Sequence, residues 1–534
     1  MASSSESNSP SVLPDELWLH IFQLCLSSSL PPSLAEVTDE MALTGELPTI
    51  TTPFCLSVVS SDWRRVCLSN TSLWSSIYIW FKSSPVSNNW GLLRSQLDAL
   101  KTWISRSGTR PLRMVIGMEY WDEGFDFAEC PPARRIPQII MENGGRIQAL
   151  DLAISEAWYK YLEPNAFTEL ETLKVIVSDV LDVDKVESDW YFERIPVSSK
   201  ALDFSRCKKL SSLAVTGMFE PTAAFQVPER WETVTDIAMS HVIPGDCIKA
   251  LVCMPNLKAA SFELFRDFDH DCYCGPEWTR DSFNPRSGPA LQTLSLNRMV
   301  PAVMKSLLYF IPLSLKHLKL GRLNSYDSIK RAYNPRDYDF VFSSVPAFAD
   351  TLQSLTLQNT LPHLVKPLIR LLPQLNRLIS LEIINDWKDN AGDNWIRDID
   401  VGSKDMYSGG LSWVKSSIDE LLLSLVVDGT LPHLERFWCT ILEMRMEDWA
   451  LLAFLRHRTC TGPGGTQDRP AHQHCCRIRD VRLVSVQQES SDLSYSKELA
   501  ISQWALEEMR TLKRNGLKIV VARSSGESVV DLLE

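Results

Sequence analysis

An alternation of apolar and polar positions recurs along most of the chain from about residue 145 onward. Short segments place Leu, Ile or Val, and once Met, at the first, fourth and sixth positions, with mostly polar residues between them. This pattern predicts short strands that each bury one face. The segments are 147–152, 170–175, 210–215, 234–239, 291–296, 315–320, 352–357 and 378–383, with weaker copies at 257–262, 431–437 and 478–483.

The segments also recur at a regular spacing. The steps between fourth positions from 150 to 173, 213 to 237, 294 to 318 and 355 to 381 are 23, 24, 24 and 26 residues. A period of about 20 to 29 residues is typical of leucine-rich repeats. The longer steps, 40 residues from 173 to 213 and 37 from 318 to 355, then contain insertions. One unit cannot bury its own leucines, so neighbouring units must stack into a parallel sheet.

Segments whose apolar residues have helical spacing lie between the predicted strands and before the first of them. Apolar stretches at 243–254, 302–311 and 364–372 predict short helices on the convex side of such a sheet. Trp90–Arg106 predicts an amphipathic helix and Leu112–Met118 a strand. The predicted organisation is a linker and N-terminal cap at 81–145, then repeats over 146–534 with inserted loops at about 266–289 and 459–476.

The N-terminal segment has a different pattern. Residues 1–11 are Ser-rich and predict a disordered leader. Leu13-Pro14-Asp15-Glu16 then favours the start of a helix, because Pro is tolerated in a first turn and acids suit the positive end of the helix dipole. Leu17, Ile21 and Leu24 follow at helical spacing, widened by Trp18, Phe22 and Cys25. Nearly half of this helix is apolar, so part of it should face a partner.

A second apolar helical segment follows an inserted loop at about 27–53, which is rich in Ser, Pro and Thr. Leu56, Val59, Trp63 and Val66 lie at helix-like offsets, and the segment ends on Leu73-Trp74. Loop-closure entropy rises by only about 0.6 kcal/mol per doubling of length, so such a loop is tolerable.

Three motifs in these two segments resemble the F-box over residues 12–80. They are Leu13-Pro14-x-Glu16-Leu17-x-x-x-Ile21-Phe22, Val59-x-x-x-Trp63-Arg64-Arg65-Val66 and Leu73-Trp74. The loop between Leu26 and Phe54 is longer than the family's usual connection. With its repeats, the whole chain resembles F-box proteins with degenerate leucine-rich repeats, of the type common in fungi. The expected fold is therefore α/β: an all-helical F-box, then a leucine-rich-repeat solenoid with its parallel sheet on the concave side and helices and loops on the convex side.

The resemblance implies the substrate-recognition subunit of a Skp–cullin–F-box ubiquitin ligase, and no enzymatic activity of its own. The expected partners are a Skp-type adaptor, through it a cullin–RING ligase, and a protein substrate. The implied adaptor-binding residues are Leu13, Pro14, Glu16, Leu17, Ile21, Phe22, Leu24, Val59, Trp63, Leu73 and Trp74. Three alternatives stay open: the helices merely cap the solenoid, the repeats form a binding scaffold with no role in ubiquitin ligation, or the repeats hold a hydrolase site assembled from distant residues.

Composition narrows the functional class. With 54 Lys and Arg against 66 Asp and Glu, the net charge of −12 argues against nucleic acid and anionic membranes as partners. No apolar run approaches the roughly 20 residues of a membrane span, and the N-terminus has no signal-like features. Thirteen cysteines without a spacing framework indicate reduced thiols. A cytoplasmic or nuclear location is therefore expected.

Other candidate sites are weaker. Cys272 and Cys274, and the group from Cys460 to Cys476 with its two histidines, lack the paired spacing of a zinc site, so no metal or cofactor is expected. The glycine-rich residues 461–466 lack the Lys-Ser/Thr of a phosphate-binding loop, and no hydrolase or kinase motif is present. Aromatic residues that follow predicted strands are candidates for substrate contact: Trp158, Tyr159, Trp387 and Trp395.

Overall fold

A computed structural model describes the chain in two compact units, Met1–Val242 and Ile243–Glu534. The described residues are 13–29, 52–81, 90–118, 131–154, 161–177, 204–216, 231–242, 244–264, 291–299, 301–321, 341–358, 365–384, 419–427, 430–442, 448–459, 478–487, 501–525 and 528–533. The predicted leader 1–11 and the predicted loop 266–289 lie outside these residues, as do most of the loops 27–53 and 459–476.

The N-terminal unit combines helices with a parallel sheet. Its helices are α1 (Asp15–Ser29), α2 (Pro53–Ser57), α3 (Ser61–Ser69), α4 (Trp90–Arg106) and α5 (Pro131–Glu142). Its strands are β1 (Ser76–Phe81), β2 (Leu112–Met118), β3 (Ile147–Ile154), β4 (Thr172–Val177), β5 (Ser212–Thr216) and β6 (Asp236–Val242). Each strand pairs in parallel with the next along the chain.

The C-terminal unit repeats this arrangement. Its helices are α6 (Pro244–Cys253), α7 (Pro301–Phe310), α8 (Val365–Leu371), α9 (Asp448–Thr459) and α10 (Gln503–Arg514). Its strands are β7 (Ala259–Leu264), β8 (Thr293–Asn297), β9 (His317–Leu320), β10 (Ser354–Gln358), β11 (Ser380–Ile384), β12 (Arg436–Leu442), β13 (Asp480–Gln487), β14 (Lys518–Ser525) and β15 (Ser528–Asp531). Strands β7 to β14 pair in parallel in chain order, and β15 is antiparallel to β14.

The buried leucines keep one register from strand to strand. Leu294 pairs with Leu318, Leu318 with Leu355, Leu355 with Leu381, and Leu381 with Phe437, and all of them are buried. Because side chains alternate along a strand, a shift of one residue would turn such a row toward the opposite face. The repeated apolar positions therefore specify the pairing as well as the strands.

The predicted α/β class is confirmed, and a strand begins inside every predicted segment. The helix Trp90–Arg106 and the strand Leu112–Met118 have the predicted bounds, and α6, α7 and α8 lie in the three predicted helical stretches. In most segments the first apolar residue lies just before the strand and is buried there, as Leu170, Leu291 and Leu315 are.

The sheet begins earlier than the repeat pattern indicates. Strand β1 begins within residues 12–80, which the resemblance predicts to be entirely helical, and β2, predicted as a strand of the N-terminal cap, pairs between β1 and β3. In Ser76–Phe81 the side chains are buried on both faces, so the leucine alternation that marks the later strands is missing. Trp80 covers Gly117 closely enough that a Cβ added there would lie 2.0 Å from its ring.

A buried arginine stabilises irregular backbone before β12. Arg458 of α9 is 2% exposed. Its guanidinium donates to the carbonyl oxygens of Leu425 at 3.0 Å, Leu431 at 3.1 Å and Thr430. Leu431 has a φ of 48°, which is unusual for a branched side chain. Arg458 thus gives three backbone carbonyl groups a buried donor, and that of Leu431 also accepts from the Leu434 N–H at 3.1 Å.

A carboxylate is buried on the other face of the N-terminal sheet. Asp151 of β3 pairs in register with Lys174 of β4, whose Nζ lies 3.8 Å from Asp151 Oδ2. The Asp151 side chain is 4% exposed, and this burial raises its pKa against the opposing effect of Lys174. The sequence pattern had indicated a solvent-facing position.

Candidate protein-docking surface

Three aromatic rings hold α1 against α3. Trp18 and Phe22 lie on α1 and Trp63 on α3, with ring centroids 4.9 to 5.9 Å apart. Phe22 is completely buried and Trp63 is half-buried. Tilted ring pairs at these distances stabilise a contact beyond the apolar area that they bury. The two predicted N-terminal helical segments therefore pack together.

An ion pair joins the start of α1 to α3. Arg65 donates from Nη2 to Asp15 Oδ1 at 2.8 Å and from Nη1 to Oδ2 at 2.5 Å. The hydrogen bond from Arg65 holds the pKa of the Asp15 carboxyl below its usual value. Both side chains are about half exposed, so the pair orients the helices more than it stabilises the fold.

A second aromatic cluster fixes this segment on α4. Trp74, at the end of a 3-10 turn, donates its indole N–H to Cys67 O at 2.8 Å. Its ring meets Phe54 edge-on at 5.0 Å and Trp103 of α4 at 6.3 Å. The Arg106 guanidinium lies 4.5 Å from the Trp74 ring centroid, within cation–π distance. The residues from α2 to the 3-10 turn are thereby anchored.

The face of α1 opposite its buried side is apolar and uncovered. Leu13, two residues before α1, and Leu17, Ile21 and Leu24 of α1 are 41%, 50%, 36% and 55% exposed, and they follow one another at intervals of three or four residues. These four residues are named the α1 apolar stripe. Because Phe22 and Trp18 already occupy the other side of the helix, α1 is apolar on both sides but packed on only one.

More exposed apolar side chains lie between α2 and α3. Val58 and Val59 are 71% and 61% exposed. Val59 was expected to share a helix with Trp63, and the structure corrects this. The Ser60 Oγ accepts a hydrogen bond from the Trp63 N–H at 3.1 Å and caps α3, so the helix begins after Val59. Serine is a typical capping residue, but the apolar spacing on both sides of Ser60 predicts one continuous helix.

The predicted adaptor-binding residues separate into two groups. The first group is exposed or half-buried: Leu13, Pro14, Glu16, Leu17, Ile21, Leu24, Val59 and Trp63. Phe22, Leu73 and Trp74 form the second group and are 0%, 3% and 0% exposed. In this conformation these three cannot touch a partner, and they support the surface from the interior instead.

The remaining candidates lie outside the described residues. Trp158, Tyr159, Trp387 and Trp395 fall there, as do Cys272, Cys274 and the Cys- and His-bearing residues 460–476. Within the part of the chain that is described, no three His, Cys, Asp or Glu side chains are grouped to hold a metal ion. In that same part, no helix combines the length and the apolar character needed to cross a bilayer.

Comparison with known proteins adds no family assignment. No protein-family model matches the chain, and a search of curated proteins finds no significant match. Its class therefore rests on its own structure: an α/β protein whose consecutive strands up to β14 pair in parallel within each unit, with an exposed apolar stripe at its first helix.

Proposed function

We propose that the chain is the substrate-recognition subunit of a Skp–cullin–F-box ubiquitin ligase. In this proposal the helices from α1 to the 3-10 turn are an F-box, and the α1 apolar stripe binds a Skp-type adaptor. The strands and helices that follow are a leucine-rich-repeat solenoid, which binds the protein to be ubiquitinated. The chain itself forms and breaks no covalent bond.

The α1 apolar stripe is the observation that carries the proposal. Single exposed leucines are common on protein surfaces, but contiguous apolar stripes mark interaction sites. Fully burying a leucine or isoleucine side chain contributes about 1.5 to 3 kcal/mol. A partner that covers the exposed half of all four side chains of the stripe therefore gains roughly 3 to 5 kcal/mol of binding free energy. That is a substantial share of a micromolar interaction, about 8 kcal/mol.

The position of the stripe supports an adaptor as that partner. Leu13, Leu17 and Ile21 are the exposed large apolar residues of the motif that begins Leu13-Pro14-x-Glu16, ends at Ile21-Phe22 and resembles the F-box. The resemblance also includes Trp63, which packs directly beneath α1 against Phe22 at 4.9 Å. A helix serving only as a cap would be expected to bury its apolar residues, and these three remain exposed.

Reconstitution tests the proposal. The full chain is co-expressed with a Skp-type adaptor, a cullin and a RING subunit, and the purified chain is analysed for bound partners. We expect the adaptor to co-elute with it and to recruit the cullin. Ile21→Asp should abolish co-elution, whereas Leu313→Asp, at a 66% exposed position in the other unit, should not. If the unaltered, folded chain retains no adaptor, a repeat scaffold without a ubiquitin-ligase role becomes the better description.

A further inference from the structure

Strands β12, β13 and β14 present two short rows of charged and indole side chains on the face of the sheet opposite the buried one. Phe437, Val481 and Ile519 pair in register and are buried, so their neighbours in the strands point the other way. The outward side chains with charge or an indole are Arg436, Trp438, Asp480, Arg482 and Lys518. These five are named the β12–β14 cationic cluster.

The cluster has a defined geometry. Arg436 pairs in register with Asp480 and Asp480 with Lys518, while Trp438 pairs with Arg482. Neighbouring strands lie about 4.8 Å apart, so the first row spans roughly 10 Å. The second row lies two residues further along, at about 7 Å. Three cations and one carboxylate therefore share a small patch, and a second carboxylate, that of Glu382 of β11, borders it beside Trp438, which leaves a net excess of one positive charge.

Arg482 is held in place before any partner binds. Its guanidinium lies 5.3 Å from the Trp438 ring centroid, and its Nε is 3.4 Å from Asp480 Oδ1. The second carboxylate oxygen of Asp480 is 3.4 Å from Lys518 Nζ. Asp480 is thus shared between two cations. Arg436 is exposed and forms no ion pair with any described carboxylate, so positive charge is left uncompensated.

This local excess runs against the charge of the chain, which is −12. A positive patch on an acidic protein attracts the carboxylates of a partner, whereas the acidic remainder of the surface repels them. The patch is too short for the extended basic groove that follows a nucleic-acid backbone. An extended polypeptide, with alternate side chains about 7 Å apart, matches the distance between the two rows.

We propose that the β12–β14 cationic cluster binds an acidic, extended segment of a partner polypeptide. Arg436 and Arg482 each receive a carboxylate, and Lys518 adds a third positive charge. This inference rests on the proposed function only in naming that polypeptide as the substrate, since the cluster belongs to the C-terminal unit and adaptor binding to α1 of the N-terminal unit.

Fluorescence anisotropy on the full chain tests the inference. The probe is a fluorescein-labelled glutamate–glycine repeat peptide, and the comparison is the isosteric glutamine–glycine peptide. We expect the acidic peptide alone to bind, and its affinity to fall as salt is raised. Arg436→Gln and Arg482→Gln should each weaken binding about tenfold, the scale of one charge-assisted hydrogen bond. Arg377→Gln, at an exposed position in the turn before β11, is the matched control and should leave affinity unchanged.

Three results would overturn the inference. They are equal binding of the two peptides, variants at the cluster that bind like the unaltered chain, or tighter binding of a single-stranded oligoribonucleotide through the same arginines. Adaptor co-elution is measured on the same preparations. An unaltered chain that binds the adaptor but not the acidic peptide contradicts this inference alone, and one that binds the peptide but not the adaptor contradicts the proposed function alone.

Discussion

Replacing Leu17 by Asp should separate adaptor binding from folding. Leu17 is 50% exposed in the α1 apolar stripe. Burying the exposed half of a leucine contributes about 1 kcal/mol to an interface. A carboxylate in its place must leave water at a cost of several kcal/mol unless a cation meets it. Together these effects predict that the adaptor dissociation constant rises at least about 100-fold.

The same substitution should change stability little. Position 17 is half exposed and lies in the first turn of α1, where a negative charge is favourable to the helix dipole. We expect the free energy of unfolding to change by less than about 1 kcal/mol. Leu92→Asp is the matched control, because Leu92 is 49% exposed on α4 and lies outside the α1 apolar stripe.

Isothermal titration of the purified adaptor into each variant measures the effect, with urea denaturation run alongside. Leu92→Asp should bind like the unaltered chain. The reasoning is refuted if Leu17→Asp binds the adaptor as tightly as Leu92→Asp does. It is equally refuted if Leu17→Asp loses binding only together with several kcal/mol of stability, since Leu17 would then be part of the core.

Three further predictions concern the fold. Arg458→Met should lower the free energy of unfolding by about 3 to 5 kcal/mol, because three carbonyl groups lose a buried charged donor, and urea denaturation measures it. Gly117→Ala should destabilise by about 1 to 3 kcal/mol, since the added methyl meets the Trp80 ring. Gly145→Ala, whose nearest contact would be an ordinary 3.8 Å, should be close to neutral; equal melting temperatures for the two alanine variants would contradict this packing. Burial raises the pKa of Asp151, so its ionisation opposes folding once the pH exceeds the unfolded value of about 3.9. Asp151→Asn should therefore raise the urea midpoint more at about pH 7 than at about pH 4, and an equal rise at both would contradict a buried, costly carboxylate.

The strands could be predicted from sequence because each repeat carries its own periodic signal. Leucines at the first, fourth and sixth positions determine the strand, its buried face and its register, as at Leu355 and Leu381. Strand β1 has no such signal, since Tyr78 and Trp80 are buried on the face that is polar in later strands. Strand β1 is placed beside β2 by the packing of Trp80 over Gly117, and a contact between residues so far apart in the chain cannot be predicted from local sequence.

The candidate surface could be predicted only in part. Helical spacing identified Leu17, Ile21 and Phe22 as apolar residues of one helix. It could not say that Phe22 is buried and Leu17 is not, because that depends on where Trp63 packs, far along the chain. The ion pair between Asp15 and Arg65 is equally non-local, and pairing over such a separation leaves no periodic trace in the sequence.

Hydrogen–deuterium exchange of the full chain, with and without a saturating Skp-type adaptor, tests the central claim most directly. The adaptor should slow exchange of backbone amides in α1 and in residues 53–69, because covering the α1 apolar stripe suppresses local opening there. Strands β8 to β14 should exchange as before. Protection confined to those strands, or no change in α1 on a chain that demonstrably binds the adaptor, would contradict the proposed docking surface.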